Sequence, residues 1–331
     1  KYLLMNAFKN KIVMITGGTG SFGQKCTNEL LKRDVKKIII FSRDELKQFE
    51  MSNKFNNNRI RYFLGDVRDL GRLELALQKV NYVIHLAAML GVKNTEDNQK
   101  KCWKINYEGT RNVLEASLTH KVEKFIFSSS SEVYGEQISK KKIIETSPLL
   151  GSNVYARSKI EAEKLIIDKL HNKKTKFTIL RLFNTYGENQ VAQFFIPKLC
   201  YSVKYNKKFI INGNGSQVRS YAFCDDIAEG IKSCLLKKKS SNKIYNLGNS
   251  KQVFSLKKVA QKISKINKKK ANIVFSKNFN KGDRKKEREI FQRVCDIKKI
   301  KKELNYDPKI NLSDGLKKVL EQKKIYNNWP T

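Results

Sequence analysis

The sequence predicts a doubly wound α/β fold: a mostly parallel sheet with helices on both faces, followed by a smaller mixed α/β region. Three observations carry this. Apolar strands alternate with amphipathic stretches through the first half, a glycine-rich turn joins the first strand to the first helix, and short strands replace the long ones after about residue 185.

The apolar runs 12–16, 37–41, 60–64, 82–86, 124–128 and 177–182 read as strands. Stretches 22–33, 70–77, 105–118 and 155–170 between them carry helical spacing. Strands separated by helices run parallel, because parallel neighbours need a crossover connection. Downstream, 209–211, 218–222, 243–246 and 273–275 read as short strands, and Gly213-Asn214-Gly215 marks a turn. Asp307-Pro308 precedes a last helix over 312–323. There is no internal repeat or long linker, so the C-terminal part is expected to pack as a lid on the first.

The 331 residues, 40% of them hydrophobic, suffice for a large core. No apolar run approaches the roughly 20 residues that cross a bilayer. The opening Lys1-Tyr2-Leu3-Leu4-Met5 has no cleavable apolar region, so a cytoplasmic location is expected. Six scattered cysteines, without a C-x-x-C pair or a neighbouring histidine, fit reduced structural thiols and predict no metal site. The net charge of +37 is mostly lysine, spread in short runs at 140–142, 237–239 and 268–270. Such runs are solvated faces, and an acidic, phosphate-bearing substrate fits the charge as well as nucleic acid does.

Thr16-Gly17-Gly18-Thr19-Gly20-Ser21-Phe22-Gly23 follows the first strand and opens a helix. In this setting Gly17 serves the tight turn, Gly20 clears space for a pyrophosphate, and Gly23 lets helix and strand pack closely; Ser21 and Phe22 lie at the helix N-terminus. The motif predicts a Rossmann-type dinucleotide-binding domain over 1–185. Residues 186–331 form mainly a substrate-binding domain, with some segments returning to the first. After the second strand, Ser42 and Arg43 suit the 2′-phosphate of NADP, whereas Asp44 keeps NAD open. Asp66 and Val67 follow the third strand, where an acid can accept from the adenine amino group. Leu86, Ala87 and Ala88 follow the fourth, where small residues admit the dinucleotide.

Tyr155 and Lys159 stand at i and i+4 on one helix face. An ammonium beside a phenol, with a positive nicotinamide, favours the phenolate that removes a hydroxyl proton. Ser128-Ser129-Ser130-Ser131-Glu132 ends a parallel strand where ligands of such folds bind. Ser128 borders the cofactor, Ser130 can hydrogen-bond the reacting oxygen, and Glu132 is a base aimed into the cleft or a solvated turn residue.

With these residues the chain resembles the extended short-chain dehydrogenase/reductases, specifically the NAD(P)-dependent nucleotide-sugar epimerases and dehydratases. Beyond the motifs above, the resemblance takes in Asn106 with Gly109-Thr110, the run from Leu180 to Gly187, Arg219-Ser220-Tyr221 and Asp225-Asp226. It implies that Asn184, Arg219 and a late arginine, Arg288 ahead of Arg284, grip a nucleotide diphosphate. It also implies a homodimer through the helices at 105–118 and 155–170. The stretch from Phe41 to Gln48 looks like the inverting UDP-N-acetylglucosamine 4,6-dehydratases, which carry Asp-Lys where this chain has Ser131-Glu132. The run from Ser130 to Gly135 looks instead like GDP-mannose 4,6-dehydratases and UDP-glucuronate decarboxylases.

A 4,6-dehydratase is therefore the leading expectation. Tyr155, helped by Ser130, takes the O4 proton, and Glu132 takes the C5 proton. Ser131 is a poor acid for the departing water, so Glu132 acts twice. The alternatives are a 4-epimerase, with Glu132 a spectator, and a decarboxylase of the UDP-glucuronate type. A different class, a non-catalytic RNA-binding relative, draws on the lysine excess, but it has no need of Tyr155, Lys159 and Ser130.

Overall fold

The six apolar runs of the first half become strands of one parallel sheet in the computed structural model, which describes residues 8–139, 141–268, 272–276, 289–323 and 325. The strands are β1 (Ile12–Thr16), β2 (Lys37–Ser42), β3 (Ile60–Leu64), β4 (Tyr82–His85), β5 (Lys124–Ser130) and β6 (Lys176–Leu182). Between them run α1 (Ser21–Leu31), α2 (Glu45–Phe55), α3 (Leu70–Leu77), α4 (Val92–Asp97), α5 (Gln99–Trp103), α6 (Gly109–Thr119) and α7 (Val154–Leu170). Then follow β7 (Thr185–Tyr186), α8 (Phe195–Lys204), β8 (Phe209–Asn212), β9 (Val218–Ser220), β10 (Ala222–Phe223) and α9 (Cys224–Leu236). The last are β11 (Lys243–Leu247), β12 (Val253–Ser255), α10 (Leu256–Asn267), β13 (Ile273–Ser276), β14 (Gln292–Arg293), α11 (Lys298–Leu304) and α12 (Leu312–Glu321).

The sheet runs β3-β2-β1-β4-β5-β6-β11, every pair parallel. Its order reverses between β1 and β4, the place where such sheets open a ligand crevice. Alternation along each strand feeds two cores. Val13 and Ile15 pack with Leu30 of α1 and Ile231 of α9, whereas Met14 packs with Leu73 of α3, Val113 of α6 and Ile166 of α7. Because both faces are covered, the strands read as continuous apolar runs. A third core, around Leu199, Phe209, Ile263 and Leu316, lies in the C-terminal region.

Several elements differ from the sequence expectation. The run 243–246, grouped with the short late strands, is β11 of the central sheet beside β6. The expected strand 218–222 breaks at Tyr221, whose N–H goes to Gln252 O while the next N–H, of Ala222, goes to Asn184 O. The backbone thus leaves one ladder for another. The helix expected over 105–118 begins as a π-helical turn, Lys104–Glu108. The helix α2 was not expected, yet its signal is there: the Asp44 side chain accepts from Lys47 N and caps it.

Two buried polar networks hold the sheet's carboxyl edge. Arg181 of β6 forks onto Glu163 of α7 (Nη2–Oε2 2.6 Å) and donates to Tyr134 Oη at 3.0 Å, while Ser129 Oγ donates to Glu163 Oε1 at 2.5 Å. His85 joins β4 to β1 and α6, with Nδ1 2.6 Å from Thr16 Oγ1 and Nε2 2.9 Å from Thr110 Oγ1. Burial first, then the charge of Lys159, pushes His85 from its ordinary 6.5 down to about 3.

Removing one partner of a buried ion pair strands the other charge. Arg181→Met is expected to cost about 3–5 kcal/mol in denaturant unfolding, and the double change Arg181→Met/Glu163→Leu markedly less. His85 supplies a pH test. Its folded-state pKa is depressed, so the unfolded chain takes the proton first. Stability is full above pH 6.5, declines as pH falls toward about 3, and is flat below that. Relative to wild type, His85→Gln should remove this part of the decline, up to ~1.4 kcal/mol per pH unit.

Candidate active site

The glycine turn is shaped for close approach. Gly17 has φ +66°, and a Cβ there would lie 2.9 Å from the Ala87 backbone; at Gly23 it would lie 2.3 Å from Gly18 O. At Gly20 a Cβ would meet only Gly17 O at 3.3 Å, so that side is open. Gly20 also stands at the N-cap of α1 and offers no capping side chain, which leaves the first N–H groups of the helix for an anion. This cradle fits the pyrophosphate of a dinucleotide. Ser21 turns elsewhere, its hydroxyl donating to Glu188 O at 2.6 Å, whereas Phe22 lines the main cleft.

At the end of β2, Ser42 Oγ accepts from Thr19 Oγ1 at 3.0 Å. The Arg43 side chain is 59% exposed, with its guanidinium 3.9 Å from the Asp66 carboxylate. Both Asp66 oxygens already accept from Arg68, at 3.0 and 2.8 Å, and this hydrogen bonding holds the Asp66 carboxyl below its usual range. Val67 is buried beside it. Asp44, which keeps NAD open, caps α2 by accepting from Lys47 N.

The main cleft, about 540 Å³, lies at the carboxyl edge of β4, β5 and β6, under β8 and β9. Ser130, Glu132, Tyr155, Lys159, Asn184 and Arg219 all line it, as do Leu86, Ala88 and Ser128 nearer the glycine turn. Ala87 stands behind them, its N–H bonded to Thr16 Oγ1 at 3.2 Å. Asn153 caps α7 by accepting from Ala156 N, which sets the helix that carries Tyr155 and Lys159. Lys159 Nζ donates to Ser128 O at 2.8 Å and lies 4.6 Å over the Phe127 ring. Burial brings its pKa down to about 8, against the opposing pull of Cys102 and Glu163.

The phenol of Tyr155 lines the same cleft. Burial raises its pKa well above the ordinary value, with Glu132 and Cys102 adding to the rise. A hydrogen bond with Ser130 and the charge of Arg293 act against it. The Lys159 ammonium, on the same helix, is turned to the Ser128 carbonyl.

Glu132 sits in the short 3₁₀ turn Ser131–Tyr134, its N–H bonded to Ser130 Oγ at 3.1 Å. Arg293 Nη1 donates to its Oε1 at 2.5 Å. Nothing in the sequence flagged Arg293; the β14–β9 register brings it opposite Arg219. Asn184 Oδ1 is buried with no hydrogen-bond partner among the described residues, as suits a group awaiting a ligand. Arg219 Nη2 binds Ile290 O and lies 3.4 Å from Glu289 Oε1. Arg288 and Arg284 lie outside the described residues. Glu188, Cys224 and Asp225 also converge, but the Lys25 ammonium bridges the two carboxylates at 3.0 and 2.7 Å.

The chain is similar to several known proteins. The inverting UDP-N-acetylglucosamine 4,6-dehydratase of Campylobacter jejuni subsp. jejuni serotype O:23/36 (strain 81-176) is 41% identical over 196 residues, 58% of this chain and 54% of that protein. The dTDP-D-glucose 4,6-dehydratase of Homo sapiens is 29% identical over 330 residues, 96% of this chain and 92% of that protein. Against several curated relatives, the Campylobacter enzyme among them, the chain spans about half of their length. The structure of UDP-glucuronic acid 4-epimerase from Bacillus cereus, in complex with UDP-glucuronic acid and NAD, superposes with TM-score 0.84 at 27% identity, covering 92% of this chain and 96% of that one. The family described as GDP-mannose 4,6 dehydratase matches residues 14–319. Sheet order, glycine cradle and family match agree, and the chain belongs to the GDP-mannose 4,6 dehydratase family.

Proposed function

We propose that the protein is a nucleotide-sugar 4,6-dehydratase that works by transient oxidation at C4 with a tightly held nicotinamide dinucleotide. The observation that carries this reading is Glu132: a carboxylate on the cleft wall, close enough to Tyr155 to raise its pKa. A 4-epimerase removes no carbon-bound proton beside the ketone and needs no base there.

When bound, the dinucleotide supplies a hydride acceptor for C4, a hydride donor for C6 and a positive charge beside the phenol. The chain's own residues do the rest. Ser130 orients the sugar O4 and Tyr155 accepts its proton. Once C4 is a ketone, the C5 proton is acidic and Glu132 accepts it. The C5 electron pair closes the C5–C6 double bond as hydroxide leaves C6, and the proton held by Glu132 completes the water molecule. C5 regains a proton as C6 is reduced, which balances the one Tyr155 took from O4. Lys159, braced on Ser128 O, fixes the edge of the cleft; Asn184 and Arg219 hold the diphosphate end, with Arg288 as a further candidate. Ser42 and the exposed Arg43 suit a 2′-phosphate, so NADP is the favoured cofactor. NAD is the second reading, favoured by Asp66 standing beside Arg43.

Mass spectrometry of products from a panel of UDP-, GDP- and dTDP-sugars tests the reaction. A product lighter by one water supports it, whereas an isobaric epimer or released carbon dioxide overturns it in favour of an epimerase or decarboxylase. Tyr155→Phe and Glu132→Gln should each lower turnover by about 10²–10⁴-fold. Calorimetric titration with both cofactors tests the second point. Arg43→Ala is expected to weaken NADP and spare NAD, and tighter binding of NAD by the wild type overturns the NADP preference.

A further inference from the structure

Arg293 is built into the site in an unusual way. It is 3% exposed, lines the cleft and makes a single-pronged contact with Glu132 through Nη1, whereas its Nε and Nη2 are buried with no hydrogen-bond partner among the described residues. By contrast Arg181, buried with Glu163 at the foot of the same strand end, is satisfied on both prongs. A guanidinium placed for stability alone uses its fork, because every desolvated N–H left unpaired is a penalty. Arg293 gives one prong to a carboxylate and leaves Nε and Nη2 buried and unpaired among the described residues, in a side chain that lines the cleft.

We propose that Arg293 is the positioning residue of Glu132: it fixes the carboxylate on the cleft wall in its proton-accepting form and reserves Nε and Nη2 for an oxygen of the bound sugar. The inference rests on the dehydratase reading for what Glu132 does, and on geometry alone for how Glu132 is held. Arg293 neither gives nor takes a proton, since a guanidinium stays charged; the proton from C5 goes to Glu132. Among the described residues, the neighbouring charged groups have contacts of their own. Arg219 of β9 is engaged by Ile290 O and Glu289, Glu136 accepts from Phe291 N at 3.1 Å, and Tyr155 of α7 feels both Glu132 and Arg293. The β14–β9 pairing keeps the two arginines at a fixed spacing.

Infrared difference spectra between wild type and Glu132→Gln, taken across pH, isolate the Glu132 carboxyl without turnover. Arg293→Leu is expected to raise its titration midpoint by about 1–3 pH units. Arg293→Lys, which keeps the charge, should restore much of the loss. In turnover assays the acidic limb of kcat should move in the same order. A folded Arg293→Leu protein whose Glu132 midpoint and acidic limb stay in place, with only KM raised, overturns the proposal and leaves Arg293 a substrate contact. If Arg293→Leu does not fold, Arg293→Gln and Arg293→Lys carry the comparison; Arg293→Leu/Glu132→Gln, which strands no charge, should fold. Should the wild type dehydrate no sugar, the dehydratase reading falls while the infrared result still decides how Glu132 is held.

Discussion

The carboxyl end of β5 is the constraint on which the rest of the site depends. Four consecutive serines leave the sheet there, and most are tied to a different neighbour. The Ser128 carbonyl takes Lys159, the Ser129 hydroxyl locks onto Glu163, and the Ser130 hydroxyl accepts from Glu132 N and meets the Tyr155 phenol. Beneath them the Glu163–Arg181 pair fastens α7 to β6. Tyr155, Lys159 and Glu163 share that helix at four-residue spacing, so the buried pair sets the rotation that presents the phenol. A shift at the strand end would move the proton acceptor, the hydroxyl that orients the sugar and the carboxylate together.

The electrostatics of the cleft divide the work in the same way. Burial makes every ionisation inside it costly, which is why Lys159 falls to about 8 and the Tyr155 phenol rises. Burial therefore disfavours the phenolate. In the proposed mechanism ionisation of the phenol is tied to the positive nicotinamide, so proton removal and hydride removal act on the same bound complex. Glu132 needs the opposite treatment, and a guanidinium stands against it.

Much of this was legible in the sequence because parallel strands buried on both faces leave unbroken apolar runs, and because the glycine spacing of the cofactor turn admits few other uses. Gly17 and Gly23 are each pressed against backbone that no side chain could share. The misread elements have definite causes. The helix α2 went unread although Asp44, a short acid directly before it, is an N-cap signal. Strand β11 lies in a stretch of short strands and carries no local sign that its partner is β6. Arg293 was invisible because its role comes from register: β14 is two residues long, and its pairing with β9 sets the arginine against a carboxylate 161 residues earlier in the chain.

The late entry of β11 into the sheet bears on how the chain is made. During synthesis β6 emerges with one edge unpaired, and it stays so until residues 243–247 leave the ribosome. For that interval the nascent protein exposes a row of free N–H and C=O groups on an apolar strand, the kind of edge that invites pairing with other chains. The segment that closes this edge comes only after β8 to β10 and α9. A ribosome stalled before Lys243 thus holds an aggregation-prone, unfinished sheet, and chaperone demand should be greatest there.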